Sequence, residues 1–160
     1  MSIKHKSLLI IAHTPSPNTR VMAEALLEGA SNEVVEDVAV TLVSPLNCSS
    51  EMILQSDGLI LFTTENFGYM SGLLKDMFER IYYPCLDDPK RNNAKPFALV
   101  IKAGLDGTGS EIAISKIVKG LNWRQVQETT LCKGDFKQSF VDRCRHLGLT
   151  IAASVDAELI

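Results

Sequence analysis

Short apolar runs of strand length, separated by segments of helical period, constrain this chain most. Ser7 to Ala12 is polar only at its first residue, and Gly58 to Thr63 is almost wholly apolar. Such runs need cover on both faces, unlike the alternating strand of a half-exposed sheet. A third run, Pro96 to Ile101, has the same length. After the first run, His13-Thr14-Pro15-Ser16-Pro17 breaks the pattern, with Ser16 as N-cap and Pro17 at the first helical position. Val21, Ala25, Leu26 and Gly29 then follow at helical spacing, and the helix is expected to stop between Gly29 and Asn32. Glu33 to Val43 reads as the second strand, polar toward its start. Ser49-Ser50-Glu51 opens a short helix through Gln55.

The remaining elements continue the alternation. A loop over Thr64 to Tyr69 leads into a helix from Ser71 to Tyr82, with Leu74, Met77, Phe78 and Ile81 on one face. Pro84 and Pro89 punctuate the link to the fourth strand, Pro96 to Ile101. Thr108 and Glu111 are spaced as a capping box, opening a helix along Ile112, Ile114, Ile117 and Val118. Arg124 to Leu131 alternates as an exposed edge strand, and Asp135 caps a last helix running to about Ala153. Five strands, each followed by a helix, predict an α/β chain with a doubly wound parallel sheet in the order 2-1-3-4-5 and helices on both faces. No repeat or linker divides the chain, so residues 1–160 read as a single domain. Ligands in such sheets sit beyond the carboxyl ends of the strands, at the switch between strands 1 and 3. That rule selects loops 13–19, 64–70 and 103–109.

Composition removes other classes. Sixteen Lys and Arg against nineteen Asp and Glu leave a net charge of −3, without the basic surplus of a nucleic-acid binder. The apolar stretch near the N-terminus, Leu8 to Ala12, is too short for a signal-peptide core or a membrane span. Cys48, Cys85, Cys132 and Cys144 include no C-x-x-C pair, and the three histidines are scattered, so a zinc site has no support. The expectation is a cytoplasmic protein with reduced, mostly buried thiols.

Loop 13–19 supplies hydroxyls, an amide and backbone N–H groups at a helix N-terminus, a cradle suited to phosphate. The same residues also make an ordinary well-capped helix, and both readings stand at this point. No glycine falls between Ser7 and Glu28, so a dinucleotide-binding G-x-G-x-x-G is absent, as is a Walker lysine. No cysteine nucleophile lies in the loop, and His13 and Thr14 stand where a phospho-acceptor domain needs acids. In the loop after strand 3, Gly68 allows close approach, while Phe67, Tyr69 and Met70 offer flat, polarizable walls. Gly104, Gly107 and Gly109 make the loop after strand 4 a flexible wall for a planar ligand.

Ser16-Pro17-Asn18-Thr19-Arg20, together with Phe67-Gly68-Tyr69-Met70-Ser71-Gly72-Leu73-Leu74-Lys75, resembles the flavodoxin-like NAD(P)H-dependent FMN reductases and quinone reductases. The similarity covers roughly residues 7 to 150 as an order of elements. It implies a flavodoxin-like fold and FMN as cofactor, with NADPH or NADH as hydride donor and a quinone-like or other small molecule as acceptor. Carried over by position, Thr14, Ser16, Asn18 and Thr19 would bind the phosphate, with His13 beside them. Thr64, Glu65, Asn66, Phe67, Gly68, Gly104 and Gly107 would contact the flavin. Tyr69 and Met70 would wall the substrate slot, with Tyr82 or Tyr83 as further candidates and Trp123 read as packing. No catalytic acid, base or metal ligand is implied, because the cofactor carries the chemistry. Three positions depart from the family: Thr64 where proline is frequent, Asn66 near where Tyr or Arg is, and His13 where a small residue is frequent at the end of strand 1. The expected partner is a small electron acceptor, with no nucleic acid and no membrane, and the expected assembly is a homodimer or homotetramer. A flavodoxin-type electron carrier without its own substrate is the alternative, and a degenerate domain used for protein contacts is a third reading.

Overall fold

The computed structural model describes residues 3–160. In chain order the elements are β1 (Lys6–Ala12), α1 (Pro17–Ala30), β2 (Val38–Val43), α2 (Ser50–Gln55), β3 (Gly58–Asn66), β4 (Tyr69–Met70) and α3 (Gly72–Leu86). They continue as α4 (Pro89–Asn92), β5 (Pro96–Ala103), α5 (Thr108–Gly120), β6 (Arg124–Gln125), β7 (Thr130–Lys133) and α6 (Gln138–Asp156). The sheet runs β2-β1-β3-β5-β6, with β7 also on β5 and β4 paired back on β3. All these pairings are parallel except β3 with β4. This is the doubly wound order expected from the sequence, with the fifth strand split in two.

The apolar runs are buried on both faces, as their composition demands. Ile10, Phe62 and Val100 enter one core with Met22 and Leu26 of α1 and Leu147 and Ile151 of α6. Their neighbours Ile11, Leu61 and Ile101 enter the other with Phe78 and Ile81 of α3 and Ile114 of α5. Successive side chains of a strand point to opposite faces, so one run feeds two cores. All four cysteines are free and buried, and burial pushes the Cys48 and Cys144 thiols up to about 12. They stay protonated and pack as small apolar groups.

Several boundaries differ from the sequence reading. The second strand begins at Val38 rather than Glu33, because Glu36 and Asp37 donate their N–H groups to the Asp156 carboxylate at the end of α6. The fifth strand is interrupted over residues 126–129, where Gln125 Nε2 donates to Gln127 O and Thr129 Oγ1. The third strand extends to Asn66 and turns back at Phe67-Gly68 as a hairpin, where a loop was expected. Helix α3 runs through Pro84 to Leu86 instead of stopping at Tyr82. The cap of α5 is Gly107, not Thr108, and Thr108 N–H goes to Asp106 Oδ1 at 3.0 Å. Helix α6 starts at Gln138 without a side-chain cap, so Asp135 stands free of that role. No helix among the described residues is long and apolar enough to cross a membrane, and no cluster of three or more metal-ligating side chains occurs among them.

Candidate functional site

A cleft of about 450 Å³ opens at the carboxyl ends of the strands, lined by Ser16, Asn18, Thr64, Glu65, Lys102 and Gly104 among others. Pro15 and Thr19 complete its α1 side, and Gly134, Asp135 and Phe136 form the wall opposite. The cleft lies at the end of the sheet that the switch-point rule selects. The larger hollow beside the interrupted edge strand, about 650 Å³, holds none of the expected site residues.

The α1 side is built by capping chemistry. Ser16 Oγ accepts from Thr19 N–H at 3.2 Å, and Thr19 Oγ1 accepts from Ser16 N–H at 3.0 Å. Thr19 Oγ1 also donates to Ser16 O at 2.9 Å, and the residue is buried. The Thr19 hydroxyl is thus spent on the cap, while Ser16 has one proton that is shared with Thr19 or turned to the cleft. An α-helix begins with four N–H groups lacking intrahelical partners. Here Pro17 has none, Thr19 donates to Ser16 Oγ, and Arg20 already donates to Ser16 O at 3.0 Å. That leaves Asn18, with its backbone N–H and carboxamide, as the principal donor of this helix end. The first turn carries no acidic residue, so its positive end is uncompensated. His13 and Thr14 are half-buried and set back from the cleft lining. Burial pushes the His13 imidazole below its ordinary value, so at neutral pH it adds no charge for an anion. Ser16→Ala is accordingly expected to lower stability by about 1 kcal/mol through loss of the cap, measured by denaturant unfolding. An unchanged midpoint would show that the cap is redundant.

The β3 side differs from the expected loop. Thr64 Oγ1 donates to Asn66 Oδ1 at 2.9 Å, which commits the Thr64 proton and the Asn66 carbonyl to each other. Phe67 and Gly68 form the hairpin tip, both at positive φ (53° and 72°), and the Phe67 ring is fully exposed. A non-glycine residue held there with its ring in water is strained and costly, a combination that clusters at functional sites. Tyr69 is exposed beside it, but Met70 is only 2% exposed and belongs to the α3–α5 core. The wall assigned to Met70 is therefore not formed, since residue 70 lies on the core side of its strand. Tyr82 and Tyr83 stack edge to face on the outer surface of α3, along a separate groove with Phe78 and Ile117. Trp123 packs between Phe78 and Phe97 and donates to Asn92 Oδ1 at 2.7 Å, as read from the sequence.

Gly104 has open space where a Cβ would stand and lines the cleft, as expected of a wall beside a planar ligand. Gly107 does not: its φ of 74° and its packing on Leu131 serve the turn into α5. Lys102 was missed by sequence reasoning. It is the cation of the cleft, its Nζ donating to Gly134 O at 2.5 Å and lying 5.8 Å from the Phe140 ring centre. Its signal was legible in principle, as a charged residue ending an apolar central strand.

The residues can be tested against a flavin mononucleotide. A phosphate finds an uncompensated helix end, Asn18 and, across the cleft, a lysine. A ring finds Gly104 and Thr64, whereas Asn66, Phe67 and Gly68 of the hairpin lie outside the cleft lining. The phosphate end therefore fits, with fewer free hydroxyls than the loop composition implied and with the carboxylates of Glu65 and Asp135 sharing the lining. No family model matches the chain, and no curated protein matches its sequence. Solved structures do match in shape. A flavodoxin from the domain Archaea superposes with a TM-score of 0.73 at 18% identity, over 93% of this chain and 98% of its own. A WrbA-like flavodoxin protein from Agrobacterium tumefaciens gives 0.73 at 14% identity, over 95% and 98%. Rubredoxin:oxygen oxidoreductase from Desulfovibrio gigas gives 0.75 at 16% identity, over 98% of this chain and 38% of that one. At such identities the likeness establishes architecture, and on that ground the chain has the flavodoxin-like fold.

Proposed function

We propose that the chain binds flavin mononucleotide in the cleft between α1, β3 and β5, and passes electrons from NADPH or NADH to a small acceptor such as a quinone. One observation carries the reading: the N-terminus of α1, without an acidic residue in its first turn and with Asn18 as its free donor, lines the same cleft as Lys102 at the switch point. A ligand with an anionic end fits that pair, and the neighbouring Gly104 and Thr64 suit a planar body. The shared fold with flavodoxins and a WrbA-like protein supports the same occupant. When bound, the flavin supplies the hydride and electron chemistry.

The chain's own residues bind and orient. Asn18 and the first turn of α1 hold the anionic end, and Lys102 balances negative charge inside the cleft. Thr64 and Gly104 leave room for a flat group. Tyr69 and Phe67 stand exposed on the hairpin, where an incoming aromatic substrate can stack. With one such slot, donor and acceptor take turns, and parallel lines are expected in double-reciprocal plots. Rapid mixing of the flavin-loaded protein with each nicotinamide tests the reading. Fast bleaching by NADPH or NADH supports the enzyme. Bleaching only by a partner reductase identifies an electron carrier instead.

A further inference from the structure

We propose that Glu65 is a positioning residue: its carboxylate builds the ring-side wall of the cleft by holding the loop after β5, and it does not itself contact the bound ring. The occupant named here rests on the flavin reading above, whereas the clamp rests on geometry alone. Leu105 N–H donates to Glu65 Oε1 at 2.7 Å and Gly107 N–H donates to Oε2 at 2.8 Å. Both oxygens are engaged, by backbone groups forty or more positions away, in the short range of charge-assisted bonds.

Strand parity explains why the side chain reaches that loop. In β3, Phe62 enters the α1–α6 core and Leu61 the α3–α5 core. Thr64 shares the Phe62 side and Glu65 falls on the other side with Leu61, and at the mouth of the cleft both reach its lining. Its cross-strand partner Met70 lies in the α3–α5 core, and directly opposed residues share a face. The carboxylate is thereby turned to the Leu105 and Gly107 amides, just before the start of α5.

The loop has few other anchors. Leu105 is exposed, Gly104 has open space, and the Asp106 carboxylate is turned to Thr108 N–H. A second contact reinforces the clamp: a Cβ on Gly109 would lie 1.9 Å from Gly68 O, so the hairpin tip rests directly on the first turn of α5. Hairpin and loop therefore form one locked unit. A planar ring cannot enter between them and must lie against the cleft side of the unit, at Gly104.

Glu65→Gln keeps the size, but its NH2 group meets an N–H donor, so one bond is lost and one repulsion is gained. In the ligand-free protein, amide hydrogen exchange at Leu105 and Gly107 is expected to speed up by about tenfold or more. The dissociation constants of FMN and of riboflavin, followed by fluorescence titration, are expected to rise together by about tenfold. Their ratio should hold, because the phosphate end lies elsewhere. Glu65→Asp keeps the charge and both acceptors on a shorter stem, and should restore part of the protection and part of the affinity. Unchanged exchange would overturn the clamp. Tighter flavin binding by Glu65→Gln would overturn the positioning role, showing a carboxylate that competes with the ligand for the two amides. Weaker FMN with unchanged riboflavin would overturn it too, by moving the effect to the phosphate end. If the unaltered chain binds neither flavin, the flavin reading and the positioning role fail together, while exchange at the two amides still decides the clamp.

Discussion

Gly148→Ala is expected to cost about 3 kcal/mol of folding stability, even though alanine is the better helix former by about 1 kcal/mol. A Cβ at Gly148 of α6 would lie 2.1 Å from Leu26 O of α1, and one at Gly29 would lie 1.9 Å from Arg145 O of α6. The two helices cross with glycine set against backbone in both directions, and backbone cannot swing aside as a side-chain tip can. Overpacking of this kind forces the helices apart and opens the core that Leu26 and Leu147 fill. Thermal unfolding should show a midpoint lower by roughly 10 °C. An unchanged midpoint would contradict the backbone-tight crossing of α1 and α6. The effect bears on function because α6 holds α1 in place, and the first turn of α1 forms one side of the cleft.

Asn18→Asp is expected to act with opposite sign on fold and ligand. A carboxylate in the first turn of α1 complements the helix end, and should stabilise the ligand-free protein by about 0.5 kcal/mol. The same charge faces the anionic group proposed to lie there. Two unit charges about 4 Å apart interact with about 4 kcal/mol near a protein surface, and screening at this exposed position reduces that. The expected outcome is a roughly hundredfold loss of FMN affinity, or about 2.7 kcal/mol, with riboflavin affinity nearly unchanged. Calorimetric titration of both flavins with both proteins checks it. Equal loss for the two flavins would remove the phosphate from this end of the cleft. Ser16→Ala should change FMN affinity far less, since it adds no charge and Ser16 Oγ is already engaged with Thr19.

The sheet order and the position of the cleft were legible because they follow from apolar patterning and from a rule about parallel sheets. Continuous runs such as Leu8 to Ala12 can be buried only one way, and helical stretches between them force crossovers. Roles that depend on which face a residue occupies were harder to read. Met70 and Tyr69 are adjacent and both suited to a wall, yet the hairpin turn at Phe67-Gly68 sends Met70 to the core and Tyr69 to the surface. Within residues 64–70 only Gly68 signals that turn, since Phe is an unfavourable residue for positive φ. Competition between a cap and a cradle was likewise hidden at Ser16 and Thr19. Both uses need hydroxyls at a helix start, and only the geometry shows that Thr19 is spent. Lys102 and Glu65 owe their roles to partners at Gly134, Leu105 and Gly107, far away in sequence.

The central claim is that the cleft holds FMN by its phosphate end. Its most direct test is titration of the purified protein with FMN, riboflavin and FAD, followed by flavin absorbance and fluorescence. Saturable binding is predicted, with FMN tighter than riboflavin by about tenfold or more, as expected where charge-assisted phosphate bonds contribute roughly 1.5–3 kcal/mol each. FAD should bind more weakly than FMN, because the sequence lacks a dinucleotide-binding G-x-G-x-x-G after its first strand. Equal affinity for FMN and riboflavin, a preference for FAD, or no spectral change with any flavin would contradict the account.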